Sequence, residues 1–212
     1  MLNNVSLMGR LCGHPELRYT TNNTAVTSFT LAVDRDYVKA GEARQADFIE
    51  LPGVGAIRDA MANLKKFELI PVLEEQVRAG KFFMGVCLGM QALFEKDYEG
   101  GEYDCLGFLP GDIVPFRTTL KVPHMGWNEL EFRGSHWLQK GLPAHPYVYF
   151  VHSYHKSPAD SPDVIATADY GQAVPAICGR DNVLGFQFHP EKSGPVGARL
   201  LQNVIAYVQE KG

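Results

Sequence analysis

The sequence predicts an α/β protein in which a mixed sheet is layered between helices. Two patterns predict it. From about residue 52 onward, short apolar runs of strand length alternate with longer runs of helical periodicity. The last of these, about Val196 to Gln209, carries Leu200, Leu201, Val204, Ile205 and Val208 on one stripe, which needs a sheet face to cover it. The chain has 212 residues, 45% hydrophobic and 21% charged, enough for one sizeable core of ordinary composition.

The elements follow in order. Residues 4–11 and 25–34 read as strands, the second with Val26, Ser28, Thr30 and Ala32 alternating against Thr27, Phe29, Leu31 and Val33. Asn22-Asn23 and Ala40-Gly41 supply turn chemistry around them. A third strand covers about Ala46–Leu51, and Pro52-Gly53-Val54-Gly55 then reads as a tight turn. Helices are expected at about Ile57–Asn63, Leu69–Ala79 and Cys87–Lys96, with a buried strand at Phe82–Val86. Further strands are expected near Ile113–Phe116, Trp127–Phe132, Val148–Val151, Val164–Ala168 and Val183–Phe188. There is no internal repeat and no linker near residue 50, where the style of the sequence changes.

Charge and cysteines exclude several classes. The formal net charge is -4, and residues 1–49 hold five basic and five acidic side chains, so the excess lies beyond them. No field of that sign draws the chain to a polyanion or an anionic membrane. Cys12, Cys87, Cys105 and Cys178 are widely spread without a CxxC pair, which argues against a zinc site and a disulfide scaffold and fits a reducing cytoplasm. No apolar run reaches membrane-spanning length, and no signal-peptide pattern opens the chain.

Gly85-Val86-Cys87-Leu88-Gly89 falls between a strand and a helix, the layout of a nucleophile elbow. Small residues on either side give the turn clearance, and the helix N-terminus favours the attacking thiolate. Taken alone, the pentapeptide reads equally as a strand cysteine between packing glycines. Gln91 and Glu95 lie four and eight residues on, on the same face of the expected helix. Glu95 also reads as a solvated helix residue.

Phe188-His189-Pro190-Glu191 follows an apolar strand, and residues two apart in extended chain face one side. Glu191 can then orient the His189 ring while His189 exchanges a proton with Cys87. His152 and His155 are candidates for structural or substrate-side roles. Backbone N–H groups of the Pro52–Gly55 turn can receive a developing oxyanion, although a plain loop turn fits the same four residues.

LPGVGAIRDAM, GVCLGMQALFE, LKVPHMGWNEL, YVYFVHSY and LGFQFHPEKS stand in this order over residues 51–212. Together they resemble class I glutamine amidotransferases, and within them the glutaminase subunits of imidazole glycerol phosphate synthases. The resemblance implies a three-layer, flavodoxin-like sheet. It implies that Cys87 forms a glutamyl thioester, with His189 as acid and base and Glu191 as its orienter. Gly53, Val54 and Gly55 would form the oxyanion hole. Gln91, Glu95, Tyr149, His152, Ser153 and Tyr154 would bind glutamine. Ammonia would pass to a cyclase partner, a (β/α)8 barrel making imidazole glycerol phosphate and AICAR in histidine biosynthesis. Met125, Trp127 and Lys192 would lie near that partner, and no metal or organic cofactor is implied.

Residues 1–50 do not carry that family's opening strand, Gly-rich turn, helix and strand. GRL, HPELRY, AVTSFTLAV and ADFI instead resemble the start of bacterial single-stranded DNA-binding proteins, covering three strands of an OB-fold. The expected result is a partial OB-fold meander in place of the usual first strand-helix-strand, with Ala46–Leu51 shared and apolar surface left bare. This segment is charge-neutral and has no tryptophan, so nucleic-acid binding is not expected of it. A single-stranded DNA-binding fragment and a chimera with neither activity are the alternative readings.

Overall fold

A computed structural model of the chain describes residues 10–11, 16–19, 25–28, 31–34, 46–53 and 56–211. Strands β1 (Arg10–Leu11), β2 (Glu16–Tyr19), β3 (Ala25–Ser28), β4 (Leu31–Asp34) and β5 (Ala46–Gly53) precede helices α1 (Ile57–Lys66) and α2 (Leu69–Arg78). Then come β6 (Phe82–Cys87), α3 (Leu88–Gln91), β7 (Lys96–Asp97), β8 (Tyr103–Asp104) and β9 (Asp112–Pro115). Next are β10 (His124–Glu129), β11 (Glu131–Phe132), β12 (Tyr147–His152), β13 (Tyr154–Ser157) and β14 (Val164–Asp169). The chain closes with β15 (Ala173–Arg180), β16 (Val183–Phe186), a short 3-10 turn at Pro190–Lys192 and α4 (Gly194–Lys211).

The main sheet runs β1-β4-β5-β6-β16-β15-β14-β11. β5, β6 and β16 are parallel, and the remaining neighbours are antiparallel. Parallel strands in the middle must be covered on both faces, and β6 is buried at every position. Its alternation divides the core. Phe82, Met84 and Val86 pack with Leu200, Val204 and Val208 of α4, while Phe83 packs with Ile57, Met61, Leu64 and Leu73 of α1 and α2. Helices therefore lie on both faces of the sheet, the expected layering.

Several expectations need correction. The single strand expected over 25–34 is two strands in two sheets: β3 pairs with β2, and β4 pairs with β5. The strand expected over Trp127–Phe132 also changes partner midway. β10 pairs with β12 and β11 with β14, because Leu130 between them turns into the core and its N–H is taken by the Pro146 carbonyl. The helix expected to reach Lys96 ends at Gln91. A loop intervenes there: the N–H groups of Leu106, Gly107 and Leu109 occupy the carbonyls of Ala92, Phe94 and Leu93. The strand expected over about Ala46–Leu51 runs on through Gly53, so Pro52 and Gly53 belong to the strand instead of the expected turn. The expected turns at Asn22-Asn23 and Ala40-Gly41 and the strand residues 4–9 lie outside the described residues, as does any apolar face left by the N-terminal segment.

A buried carboxyl in this core titrates near neutrality. Asp97 is fully buried, accepts a hydrogen bond from the Glu99 N–H at 2.7 Å, and leaves Oδ2 without a partner. Burial pushes its pKa up to about 6, against the pull of the Glu99 N–H. A carboxyl raised on folding supports the native state while protonated, so that contribution is present at low pH and lost as pH rises through about 6. Asp97→Asn keeps the acceptor and removes the charge. Urea melts should show it more stable than the parent by on the order of 2 kcal/mol at about pH 8, with no advantage below about pH 4.

Candidate active site

Cys87 ends β6 with φ 54 and ψ -110, a left-handed backbone that costs a side-chain-bearing residue of order 1–3 kcal/mol and is held by its surroundings. Gly85 makes the turn feasible: a Cβ there would sit 2.4 Å from the Gly89 carbonyl oxygen. β5 runs alongside in parallel register, so Gly53 lies directly beside Cys87 at the strand ends. Of the expected oxyanion residues, Val54 and Gly55 lie outside the described residues.

His189 leaves β16 two residues after Gln187 and is buried, its Nδ1–H donating to Glu191 Oε1 at 2.7 Å. The carboxylate is about a third exposed, at 35%, and the ring is not, at 5%. Burial alone would pull the imidazole pKa down, but interaction with Cys87 first and Glu191 second outweighs it and pushes it up to about 9. Glu191 is lowered by the same partnership, over the opposing effect of its own partial burial. The other ring nitrogen, Nε2, is buried without a hydrogen-bond partner. The ring is therefore close enough to feel the thiol without a well-formed hydrogen bond between them.

Two backbone ties aim the ring. The His189 N–H donates to the Tyr149 carbonyl at 3.0 Å. The Ser193 hydroxyl donates to the His189 carbonyl at 2.6 Å and accepts from the Tyr149 N–H at 3.0 Å. Gly197 lets α4 approach this turn, since a Cβ there would meet the Pro190 carbonyl oxygen at 2.0 Å.

Gln91 is buried one helical turn beyond Cys87, its amide donating to the Tyr154 carbonyl at 3.2 Å and to Gln187 Oε1 at 3.3 Å. Tyr149, Ser153 and Tyr154 are half-buried along β12 and β13, and His152 is buried between them. The helix expected to carry Glu95 on the Cys87 face stops short of it, at Gln91. Glu95 is exposed, and its carboxylate accepts from the Gly111 N–H at 2.8 Å. Met125 and Trp127 stand exposed on β10, at 60% and 56%, and the Trp127 ring meets Tyr149 edge-on at 6.0 Å. Lys192 is exposed on the turn after His189.

A thiol on a strained turn, a buried imidazole beside it and a carboxylate behind that ring together constitute a nucleophile, a base and an orienter. The sequence profile of "Glutamine amidotransferase class-I" matches residues 42–207, which contain all three. The chain belongs to the class-I glutamine amidotransferase family. The "Imidazole glycerol phosphate synthase subunit HisH" of Carboxydothermus hydrogenoformans is 49% identical over 76% of this chain and 80% of its own length. The HisH subunit of Aquifex aeolicus is 45% identical, over 82% of both chains. Among solved structures, a glutamine amidotransferase superposes with a TM-score of 0.57 at 18% identity, covering 75% of this chain and 77% of that one. PurLQS from Thermotoga maritima gives 0.51 at 17% identity, over 66% and 68%. These two share the fold. A second profile, "Single-strand binding protein family", matches residues 2–68.

Within this glutamine amidotransferase, Ser193 and Gln187 were not singled out by sequence reasoning. Ser193 carries a weak signal, a small hydroxyl residue two places after Glu191, where such a side chain can bond back to the turn. Gln187 bonds to a residue 96 positions away and carries none. His155 is buried, with Nδ1–H donating to the Lys156 carbonyl at 3.0 Å and Nε2 accepting from Gln172 at 2.7 Å, a packing role. Among the described residues, no group of His, Cys, Asp and Glu side chains is arranged to hold a metal, and no helix is long and apolar enough to cross a membrane.

Proposed function

We propose that the chain hydrolyses glutamine to glutamate and ammonia with Cys87, His189 and Glu191, and supplies the ammonia to a cyclase. The observation that carries this is the buried His189 ring held by Glu191 at 2.7 Å and raised in pKa by Cys87. The Cys87 sulfur attacks the side-chain amide carbon. The resulting oxyanion is received at the end of β5, by the backbone of Gly53, Val54 and Gly55. His189 gives its proton to the departing nitrogen, and the C–N bond breaks to leave ammonia and a glutamyl thioester. Water then attacks the thioester as His189 takes its proton, releasing glutamate and returning the thiol. Gln91, Glu95, Tyr149, His152, Ser153 and Tyr154, the residues that the motif resemblance implies for glutamine binding, line the substrate side. No metal or cofactor enters these steps.

As the motif resemblance implies, the ammonia goes to a (β/α)8 cyclase that forms imidazole glycerol phosphate and AICAR in histidine biosynthesis, in the cytoplasm; the similarity to imidazole glycerol phosphate synthase subunits supports this reading. Met125, Trp127 and Lys192 form the face that meets it. The amidotransferase domain is residues 51–212, and residues 1–50 are partial OB-fold strands replacing the usual first strand-helix-strand, a reading supported by the single-strand-binding profile. The test is ammonia release from glutamine by the purified chain, alone and with a HisH-binding cyclase, together with mass spectrometry for a glutamyl adduct on Cys87. Release with the adduct is expected. Absence of both, in a folded chain with the cyclase present, overturns the reading. The same profile favours a second reading, single-strand binding by residues 1–50, which a salt-dependent titration against oligo-dT would support.

A further inference from the structure

Behind the exposed face of β10 lies a run of hydrogen bonds, buried at its His124–His152 link, that the reaction as written does not use. The Asn128 amide accepts from the Glu129 N–H at 2.8 Å, which fixes its oxygen, and its nitrogen donates to the Asp169 carbonyl at 2.7 Å and to His124 Nε2 at 3.3 Å. His124 must then carry its proton on Nδ1, which lies 3.1 Å from His152 Nε2. His152 in turn must carry its proton on Nδ1, donating to the Tyr154 carbonyl at 2.8 Å. That carbonyl is the one that also accepts from Gln91. Every tautomer in the run is fixed by its neighbour, and either ring, if protonated, would set N–H against N–H. Burial agrees, pushing His124 down to about 4 and His152 down to about 3. Packing holds the His124 ring too, stacked on Phe150 at 4.5 Å and on Tyr170 at 4.0 Å.

Resting on the glutaminase reading above, we propose that His124 and His152 are positioning residues for glutamine. They hold the Tyr154 carbonyl, and through it the Gln91 amide, in place beside Cys87 without touching the reacting atoms. Because His124 alternates with Met125 and Trp127 along β10, the run also joins the exposed strand face to the substrate side.

The test compares two reagents on Cys87 of the full chain: iodoacetamide, which reports the thiol alone, and the diazo-ketone analogue of glutamine, which must first bind as glutamine does. Loss of one buried hydrogen bond that orients the site should lower diazo-ketone labelling about tenfold in His124→Phe and His152→Phe, with iodoacetamide labelling within about twofold. KM for glutamine should rise in step while kcat changes less. His124→Gln, which keeps a donor and an acceptor, should recover to within about threefold of the parent. Asn128→Leu removes the first link without replacing a buried ring and tests the run should either phenylalanine variant fail to fold. It should slow the diazo ketone alone. Unchanged labelling, equal slowing with both reagents, or no recovery in His124→Gln overturns the proposal. A parent chain that shows no preference for the glutamine-shaped reagent instead sinks the glutaminase reading, and this one with it.

Discussion

Exchanging Cys87 for serine should lower glutamine hydrolysis by about 10⁴-fold or more, and exchanging His189 for glutamine should cost about as much. The two should not add. The imidazole raised to about 9 owes that value in part to Cys87, so each group is effective only with the other present. The double variant should therefore fall no further than either single one, as measured by kcat at saturating glutamine. His189→Gln should also slow iodoacetamide labelling of Cys87 at neutral pH, because a neutral amide cannot stabilise a thiolate as an imidazolium does. Additive losses in the double variant would show that sulfur and ring act independently, contrary to the geometry.

Gly85→Ala should be nearly as damaging by a different route. The added methyl would sit 2.4 Å from the Gly89 carbonyl oxygen and 2.7 Å from the Met90 backbone nitrogen. These are main-chain atoms of α3, so no side-chain rotation relieves the contact. The helix must move away from β6, taking the Cys87 turn with it. A stability loss of about 3 kcal/mol or more is expected from such overpacking, with hydrolysis falling below detection even where the fold survives. Denaturant midpoints and ammonia release on the same preparation check it. A variant that keeps the parent midpoint would mean that α3 sits more loosely than its contacts with Gly85 and Gly185 indicate.

What the sequence made legible was local. The elbow around Cys87 and the spacing from His189 to Glu191 depend on residues within a few positions of one another, so backbone periodicity suffices to place them. The layering of α4 against β6 was legible for the same reason, since a stripe of Leu200, Val204 and Val208 needs an apolar face. The length of α3 was not. Nothing within residues 87–96 says that a loop from 105–109 will claim their carbonyls. The bonds from Gln91 to Gln187 and from His124 to His152 likewise join distant segments, and the polar residues in them resemble any others until the sheet brings them together. The switch of sheets at Leu130 escaped because the one break in the apolar-polar alternation, the polar pair Asn128-Glu129, reads equally as an exposed stretch of a single strand.

The placement of β5 has one more consequence. It bonds β4 on one edge and β6 on the other, and only the second edge fixes where Gly53 stands relative to Cys87. Whatever the chain supplies upstream of residue 46 is therefore interchangeable as far as the thiol is concerned, provided it delivers β5 in step with β6. A slip of one residue there would carry the strand end about 3.3 Å along the sheet and strand the nucleophile without its backbone neighbour. Any change upstream is felt at the thiol through this one register, which sets Gly53 opposite Cys87.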